Sequence, residues 1–164
     1  MRQRHLILGL TFFFTGLFTL HSQVIYIQSG ATGTGNSWAD ASGDLSAALN
    51  TASAGTQIWV AQGTYYPLQC SSCSHLQRDT PFSIPEGVAV YGGFDGTETS
   101  IDQRDWENNR TFLSGDINQD GIASNNTYTI QYTRNVSAAT IIDGFEVVDA
   151  FADNGIYDVY TRIN

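Results

Sequence analysis

The stretch GVAVYGGFDGTETSIDQRDW, residues 87–106, decides which fold the sequence predicts. It opens with an apolar strand pattern at 87–91, and Gly92 and Gly93 follow directly. Because glycine adopts backbone conformations that other residues avoid, the pattern predicts a strand that stops where the chain turns, with Phe94 returning to the core. The acid-rich remainder predicts a solvated loop.

The same alternation of strand and turn continues along the chain. Segments rich in Val, Ile, Tyr and Phe are separated by Gly, Asp and Asn, which is typical of short β-strands. The predicted strands are 24–28, 57–61, 87–91, 111–114, 127–132, 139–143, 145–149 and 156–160. Between the first two strands, apolar residues recur at helical spacing. Asp44 as N-cap and Gly55 as C-cap favour a helix at 44–53, because Gly43 would weaken a longer one.

Three architectures are compatible with this order of elements. A βαβ fold is disfavoured because no long helical pattern lies between the strands. An antiparallel sandwich stays open, since IDGF at 142–145 fits a tight hairpin turn. The pattern favours an all-β parallel β-helix, a single-stranded solenoid in which a short N-terminal α-helix covers the first strand.

The N-terminus predicts export. Arg2 and Arg4 precede an apolar run from Leu6 to Leu20, which is shorter than the roughly 20 residues of a membrane span. A basic start, a short apolar core and a small residue at Ser22 are typical of a secretory signal peptide. We therefore predict a signal peptide at 1–22, a single domain at 23–164 and no membrane span in the mature chain. A short membrane anchor is the alternative.

The charge of the mature chain excludes several partners. The sequence has no lysine, and without Arg2 and Arg4 it has five arginines against 16 acidic residues, a net charge of −11. Nucleic acid and anionic lipid are bound mainly through lysine and arginine, so neither is expected as a partner. Direct binding of an acidic polysaccharide is also disfavoured unless a divalent cation bridges the two.

Four blocks in unbroken order carry a family resemblance: SWADASGDLSAALNTASAGTQIWVAQGTYYP (37–67), FSIPEGVAVYGGFDGTETSIDQRDW (82–106), TFLSGDI (111–117) and IIDGFEVVDA (141–150). Together they resemble the N-terminal part of secreted right-handed parallel β-helix proteins, the pectin-lyase-like repeat proteins of Bacteroidetes type. The resemblance implies a right-handed solenoid that is secreted or held at the cell surface or outer membrane. Members of this group usually continue for several more coils, so it also implies a chain truncated at its C-terminus.

Function follows from the resemblance in two alternative forms. The first is a non-catalytic protein acting in adhesion or in contact with an extracellular glycan or other cell-surface polymer. The second is a fragment of a polysaccharide-active enzyme, similar to pectate lyases or pectin esterases, whose catalytic residues lie beyond residue 164. The signatures of these enzymes, a lysine base, Asn-Thr-Asp and Gly-His-Gly, do not occur in the sequence. We therefore predict no catalytic residue and no enzymatic activity for the chain.

The motif CSSC places Cys70 and Cys73 in a polar segment, with His75 close by. An oxidising compartment favours a local disulfide between the two cysteines. A closed zinc site needs four ligands, and this segment supplies three. A disulfide is the prediction, and free thiols or a metal site are the alternatives.

Carboxylates and amides alternate in DINQDG, residues 116–121. Asp116, Asn118 and Asp120 precede Gly121, as in the opening of a calcium-binding loop. The match is partial because Thr127 stands where such a loop has its bidentate glutamate. Calcium bound by these three residues is the one cofactor that the sequence predicts, and an Asx-rich turn is the alternative.

Two further acidic groupings lie in the opening stretch. Asp95 with Glu98, and Asp102 with Asp105, have spacings that an acid–base pair could use. Turns in acidic proteins commonly contain such pairs. The prediction is that they turn and solvate the chain.

Overall fold

Three short parallel sheets form the body of the computed structural model, which describes residues 22–67 and 78–151. The strands are β1 (Val24–Ile27), β2 (Gln57–Ala61), β3 (Gly63–Tyr65), β4 (Phe82–Ser83), β5 (Ala89–Phe94), β6 (Thr111–Ser114), β7 (Gln131–Tyr132), β8 (Ile141–Asp143) and β9 (Glu146–Val148). They pair in the orders β1-β2-β5-β8, β3-β6-β9 and β4-β7. Each of these pairings is parallel.

The predicted fold class, an all-β right-handed parallel β-helix, is wrong. The described residues form sheets of only four, three and two strands, and no long regular solenoid is present among them. Within the described ranges, helical segments interrupt the strands: α1 (Leu45–Thr51) and 3-10 helices at Trp38–Asp40, Ile101–Gln103 and Ala123–Asn125. The strands are two to six residues long, and the irregular segments 95–110 and 115–130 separate them, so the regular spacing of a solenoid is not maintained.

Strand positions follow the β-branched and aromatic segments closely, but the glycines act differently from the prediction. β5 continues through Gly92 and Gly93 to Phe94 instead of ending at Tyr91. The register between β2 and β5 shifts at this point, and Gly93 has a φ of 92°. A bulge in a continuing strand therefore replaces the predicted turn. Two short strands, β3 and β4, were not predicted.

The hydrophobic core is formed by side chains from all three sheets and from helix α1. One core column crosses the four-stranded sheet through Ile25, Ile58, Val90 and Ile142, which share a register. Ile58 and Val90 are almost fully buried, and the two outer members are partly buried. Further core side chains come from the other two sheets and from the residue before β7: Tyr65, Phe82, Leu113 and Ile130.

Helix α1 was predicted correctly in position and N-cap. The Asp44 carboxylate accepts a hydrogen bond from the Ala47 N–H at 2.8 Å, which satisfies one of the unpaired donors at the helix start. Leu45 and Leu49 are buried in the core. The helix ends at Ala52 as C-cap, so Gly55 is not its cap; Gly55 instead pairs its N–H with the carbonyl of Gly87.

The opposite face of the four-stranded sheet carries aromatic residues in register. Tyr26, Trp59 and Tyr91 occupy matching positions on β1, β2 and β5, and Asp143 takes the next position on β8. Phe94 stacks on Trp59 with ring centroids 4.9 Å apart and is fully buried. This column positions the site described below.

Three sequence predictions fall partly or wholly outside the described residues, and the strand predicted at 156–160 is one of them. The signal peptide at 1–22 has only Ser22 inside them, and Cys70, Cys73 and His75 lie outside them. Among the residues that the structure covers, no helix has both the length and the apolar character needed to span a bilayer.

Candidate functional site

Four side chains meet at the end of the aromatic column, and we call them the Arg104 cluster: Tyr91, Arg104, Trp106 and Asp143. Tyr91 lies on β5, and Asp143 is its register partner on β8. Arg104 and Trp106 come from the loop between β5 and β6. The cluster therefore joins two adjacent strands and one loop on the outer face of the largest sheet.

Local hydrogen bonds explain how the loop presents Arg104 and Trp106. A capping box between Ser100 and Gln103 caps the N-terminus of the 3-10 helix that precedes them. Arg104 then returns to an extended conformation, and the Asp105 N–H donates to the carbonyl of Gly93 at 2.7 Å. Trp106 follows directly with its backbone against Gly93. A Cβ at Gly93 would lie 2.8 Å from the Trp106 Cα, so only glycine allows this contact.

The next turn is braced by the Asp105 carboxylate. It accepts hydrogen bonds from the N–H groups of Glu107 and Asn108 and from the Asn108 side chain. These bonds, led by that of the Asn108 side chain, hold the pKa of Asp105 below its ordinary value. An ionised carboxylate committed to its own turn serves as a structural brace for Trp106 rather than as a general acid.

A close approach of two backbones brings Asp143 to the cluster. A Cβ at Gly92 would lie 2.4 Å from the carbonyl oxygen of Gly144, and a Cβ at Gly144 would lie 2.7 Å from that of Gly92. Gly144 also has a φ of 80°, which other residues rarely adopt. Two glycines thus allow the turn after β8 to lie against β5, where Asp143 reaches Arg104.

The Arg104 guanidinium links the other three members. It forms an ion pair with Asp143, and its Cζ lies 5.0 Å from the Tyr91 ring centroid and 5.2 Å from that of Trp106. Its side chain is only 14% exposed. A cation over an aromatic ring is attracted by the negative face of that ring, and the attraction is larger where water is excluded.

Trp106 gives the cluster its accessible surface. It is 54% exposed, whereas Trp59 is buried and Trp38 is partly buried. The Asp143 side chain, which pairs with the same guanidinium, is 52% exposed. The cluster therefore offers solvent a flat apolar ring next to a hydrogen-bond acceptor, a combination suited to binding a molecule with one apolar face and polar edges.

The predicted calcium residues are brought together, but largely by bonds to one another and to the loop. Asp116 accepts from the N–H groups of Asp120 and Gly121, and Asp120 accepts from the side chains of Asn118 and Asn125. The N–H of Ile122 also donates to Asp120, and this bond is the main cause of its lowered pKa. The loop shows the features of an Asx-rich turn.

Calcium binding by Asp116, Asn118 and Asp120 stays a prediction. In the described ranges no group of three or more His, Cys, Asp or Glu side chains is arranged to hold a metal ion. The direct measurement is a thermal melt with calcium and with chelator, with Asp120→Ala as the control. A ligand that binds only the native loop would raise the melting temperature by mass action.

In the acidic pairs predicted to turn the chain, Asp95, Glu98 and Asp105 accept hydrogen bonds from nearby N–H groups, and Asp102 lies in the 3-10 helix Ile101–Gln103. Glu98 is buried and accepts from the N–H groups of Asp95, Gly96 and Thr97. Asp95 accepts from Thr97, and this bond lowers the pKa of Asp95. The lowered pKa keeps Asp95 ionised at neutral pH, so this side chain does not suit the role of a general acid.

Sequence reasoning missed all four members of the Arg104 cluster. The available signal was Arg104 and Trp106 within an acidic loop, in a chain with only seven arginines and no lysine. Loops often carry binding residues, so a tryptophan and an arginine two positions apart indicate a role beyond turning the chain. Tyr91 and Asp143 had no local signal, because their meeting depends on strand register.

Comparisons with known proteins identify no relative: no protein family, no curated protein and no solved structure matches this chain.

Proposed function

We propose that this chain is a non-catalytic extracellular protein that contacts a carbohydrate polymer through the Arg104 cluster. The observation that carries the proposal is the exposure of Trp106 on a braced support. Its backbone lies against Gly93, its ring lies beside the Arg104 guanidinium, and 54% of its surface faces solvent. Large aromatic residues exposed in this way are typical of recognition surfaces.

The chemistry of the ring suits a sugar. The face of an indole carries partial negative charge, and the C–H groups on one face of a pyranose carry partial positive charge, so the two pack favourably. Asp143 lies on the same guanidinium and can accept hydrogen bonds from sugar hydroxyls at the edge of that contact. The ring and the carboxylate together match a molecule that is apolar on its face and polar at its rim.

The overall charge supports the same class of partner. At a formal net charge of −9 for the whole sequence, nucleic acid and anionic lipid surfaces are repelled. A carbohydrate polymer needs no cationic patch for binding. An extracellular location stays a prediction from the N-terminal pattern.

The test is binding of the purified chain to a panel of soluble polysaccharides, followed by quenching of tryptophan fluorescence with acrylamide. Because Trp106 is the most exposed of the three tryptophans, a bound polymer should protect the fluorescence from quenching. Trp106→Ala should lower affinity by about tenfold, which corresponds to a loss of roughly 1.4 kcal/mol.

Tyr132→Ala is the matched control, since Tyr132 is 47% exposed and lies on β7 in a different sheet. It should leave affinity unchanged. Failure of every polymer to bind, or equal binding by Trp106→Ala, would overturn the proposal. Depolymerisation of a bound polymer would instead support the enzyme alternative.

A further inference from the structure

We infer that Asp143 sets the class of sugar taken by the Arg104 cluster, favouring neutral glycans and rejecting uronic acids. The inference rests on the proposed function, because it concerns the ligand of the same surface. Its basis is the different exposure of the two charged groups: the Arg104 side chain is mostly covered, whereas the Asp143 side chain is exposed to solvent.

Arg104 offers little to an acidic ligand. One of its terminal nitrogens, Nη2, is bonded to Asp143. The other, Nη1, is buried and has no hydrogen-bond partner in the described part of the chain. A carboxylate ligand is normally held by two parallel N–H donors of one guanidinium, and neither nitrogen is presented in that way here. Arg104 therefore acts as a positioning residue for the ring and the carboxylate.

Asp143 is the charged group that a ligand on Trp106 would meet. Both residues contact the same guanidinium, and the Asp143 side chain is 52% exposed. Its Oδ2 is paired with Arg104, and its Oδ1 makes no hydrogen bond to another described residue. An ionised carboxylate accepts hydrogen bonds and donates none. It can therefore bind sugar hydroxyls, but it repels a sugar carboxylate.

The surrounding loop adds to this preference. The segment 95–110 carries five acidic residues and two arginines, and both arginines are paired with carboxylates on β8 or β9. The acidic residues are Asp95, Glu98, Asp102, Asp105 and Glu107. A polyanion approaching Trp106 thus meets excess negative charge, and this repulsion is strongest at low ionic strength.

The experiment compares two probes, hydroxyethyl cellulose as a neutral polymer and polygalacturonate as an acidic one. Both are measured in 50 mM salt with chelator, so that no divalent cation bridges the chain and the acidic polymer. The wild-type chain should bind the neutral polymer at least tenfold more tightly. Asp143→Asn should reduce this ratio to less than threefold, because the substitution removes a charge and an acceptor together.

Two further variants serve as controls for the charge at Asp143. Glu146→Gln removes one negative charge from the ion pair between Glu146 and Arg110. It should leave the ratio of the two affinities unchanged. Asp143→Glu restores the charge and should restore most of the preference. Thermal melts identify any variant that fails to fold; if Asp143→Asn does, Asp143→Ala is measured in its place and should likewise reduce the ratio.

The outcomes separate the two proposals. If Trp106→Ala does not weaken binding of either polymer, the proposed function fails. If polygalacturonate binds through Trp106 as tightly as the neutral polymer, or if Asp143→Asn leaves the ratio at its wild-type value, only the inference about Asp143 fails.

Discussion

The Arg104 cluster has a counterpart on the neighbouring sheet, formed by Arg110, Phe112 and Glu146, which we call the Arg110 cluster. In each, an aromatic residue is the register partner of a carboxylate on the next strand: Tyr91 of Asp143, and Phe112 of Glu146. In each, an arginine pairs with that carboxylate and lies 5.0 Å from the aromatic ring. The same arrangement thus occurs on two sheets.

The clusters differ in what covers the arginine. The Arg104 side chain is 14% exposed and has Trp106 beside it, whereas that of Arg110 is 55% exposed. Water screens an exposed ion pair, so the same contacts contribute less at Arg110. Both clusters have the arginine, the aromatic residue and the carboxylate, and the loop that carries Trp106 covers only the Arg104 pair.

Gly144→Ala should produce the largest effect, because Gly144 lies in the turn that joins Asp143 to Glu146 and so supports both clusters. The new Cβ would combine an unfavourable positive φ with a 2.7 Å approach to the Gly92 carbonyl. We expect a loss of about 3 kcal/mol in the free energy of unfolding. Chemical denaturation measures this loss.

Gly121→Ala is its control, since Gly121 has a φ of 73° and nothing within 4 Å of the added Cβ. Backbone strain alone should cost roughly 1–2 kcal/mol there. Equal losses in the two variants would show that the close approach between Gly92 and Gly144 is unimportant.

Thr111→Val should produce the next effect and tests whether the two clusters are coupled. Thr111 follows Arg110 directly, is almost fully buried, and accepts a hydrogen bond from the Gly93 N–H at 3.0 Å. Valine keeps the shape but leaves that buried donor unpaired, at a cost of about 1–3 kcal/mol. Because Trp106 packs on Gly93, acrylamide quenching should also increase. Stability lost without any change in quenching would argue that the two clusters are independent.

Arg104→Met should cost about 1–2 kcal/mol, because it removes two ring contacts and an ion pair from a largely covered position. Arg110→Met should cost less, since both members of its pair are exposed. Raising the salt concentration should reduce the second effect more than the first. A larger loss of unfolding free energy for Arg110→Met would show that covering the arginine does not strengthen its contacts.

The smallest expected effect is the pH dependence contributed by Glu146. The hydrogen bond and charge of Arg110 lower the pKa of Glu146 from its ordinary value of 4.5. The pair therefore stabilises the fold fully above pH 4.5, and the contribution is lost as the pH falls through the lowered pKa. Melts of wild type and Glu146→Gln should differ near neutral pH and converge under more acidic conditions. A difference that grows on acidification would contradict this sign.

Much of the secondary structure could be predicted, because it depends on local patterns. The strand at 111–114 and helix α1 with Asp44 as its N-cap match the structure. The glycine bulge in β5 could not be predicted. Glycine permits many backbone conformations. The conformation at Gly92 and Gly93 depends on packing against Gly144, which is distant in the chain, and against Trp106, which lies in a loop.

The fold class was wrong for a related reason. Strand–glycine–strand patterning indicates short strands, but it carries no information about how regularly they repeat. The segments 95–110 and 115–130 interrupt the repeat with 3-10 helices and hydrogen-bonded turns. Hydrogen bonds between side chains and backbone, such as those of Glu98, stabilise such loops without a hydrophobic pattern.

By itself the sequence determined the acidic charge, the positions of most described strands, helix α1 and the polar character of the loops. These properties depend on residues close together in the chain. Only the tertiary structure decided that Asp143 lies beside Tyr91 and that Arg104 joins them to Trp106. The physical reason is register: a shift of one residue in a strand turns every side chain to the opposite face, and contacts across the sheet select the register.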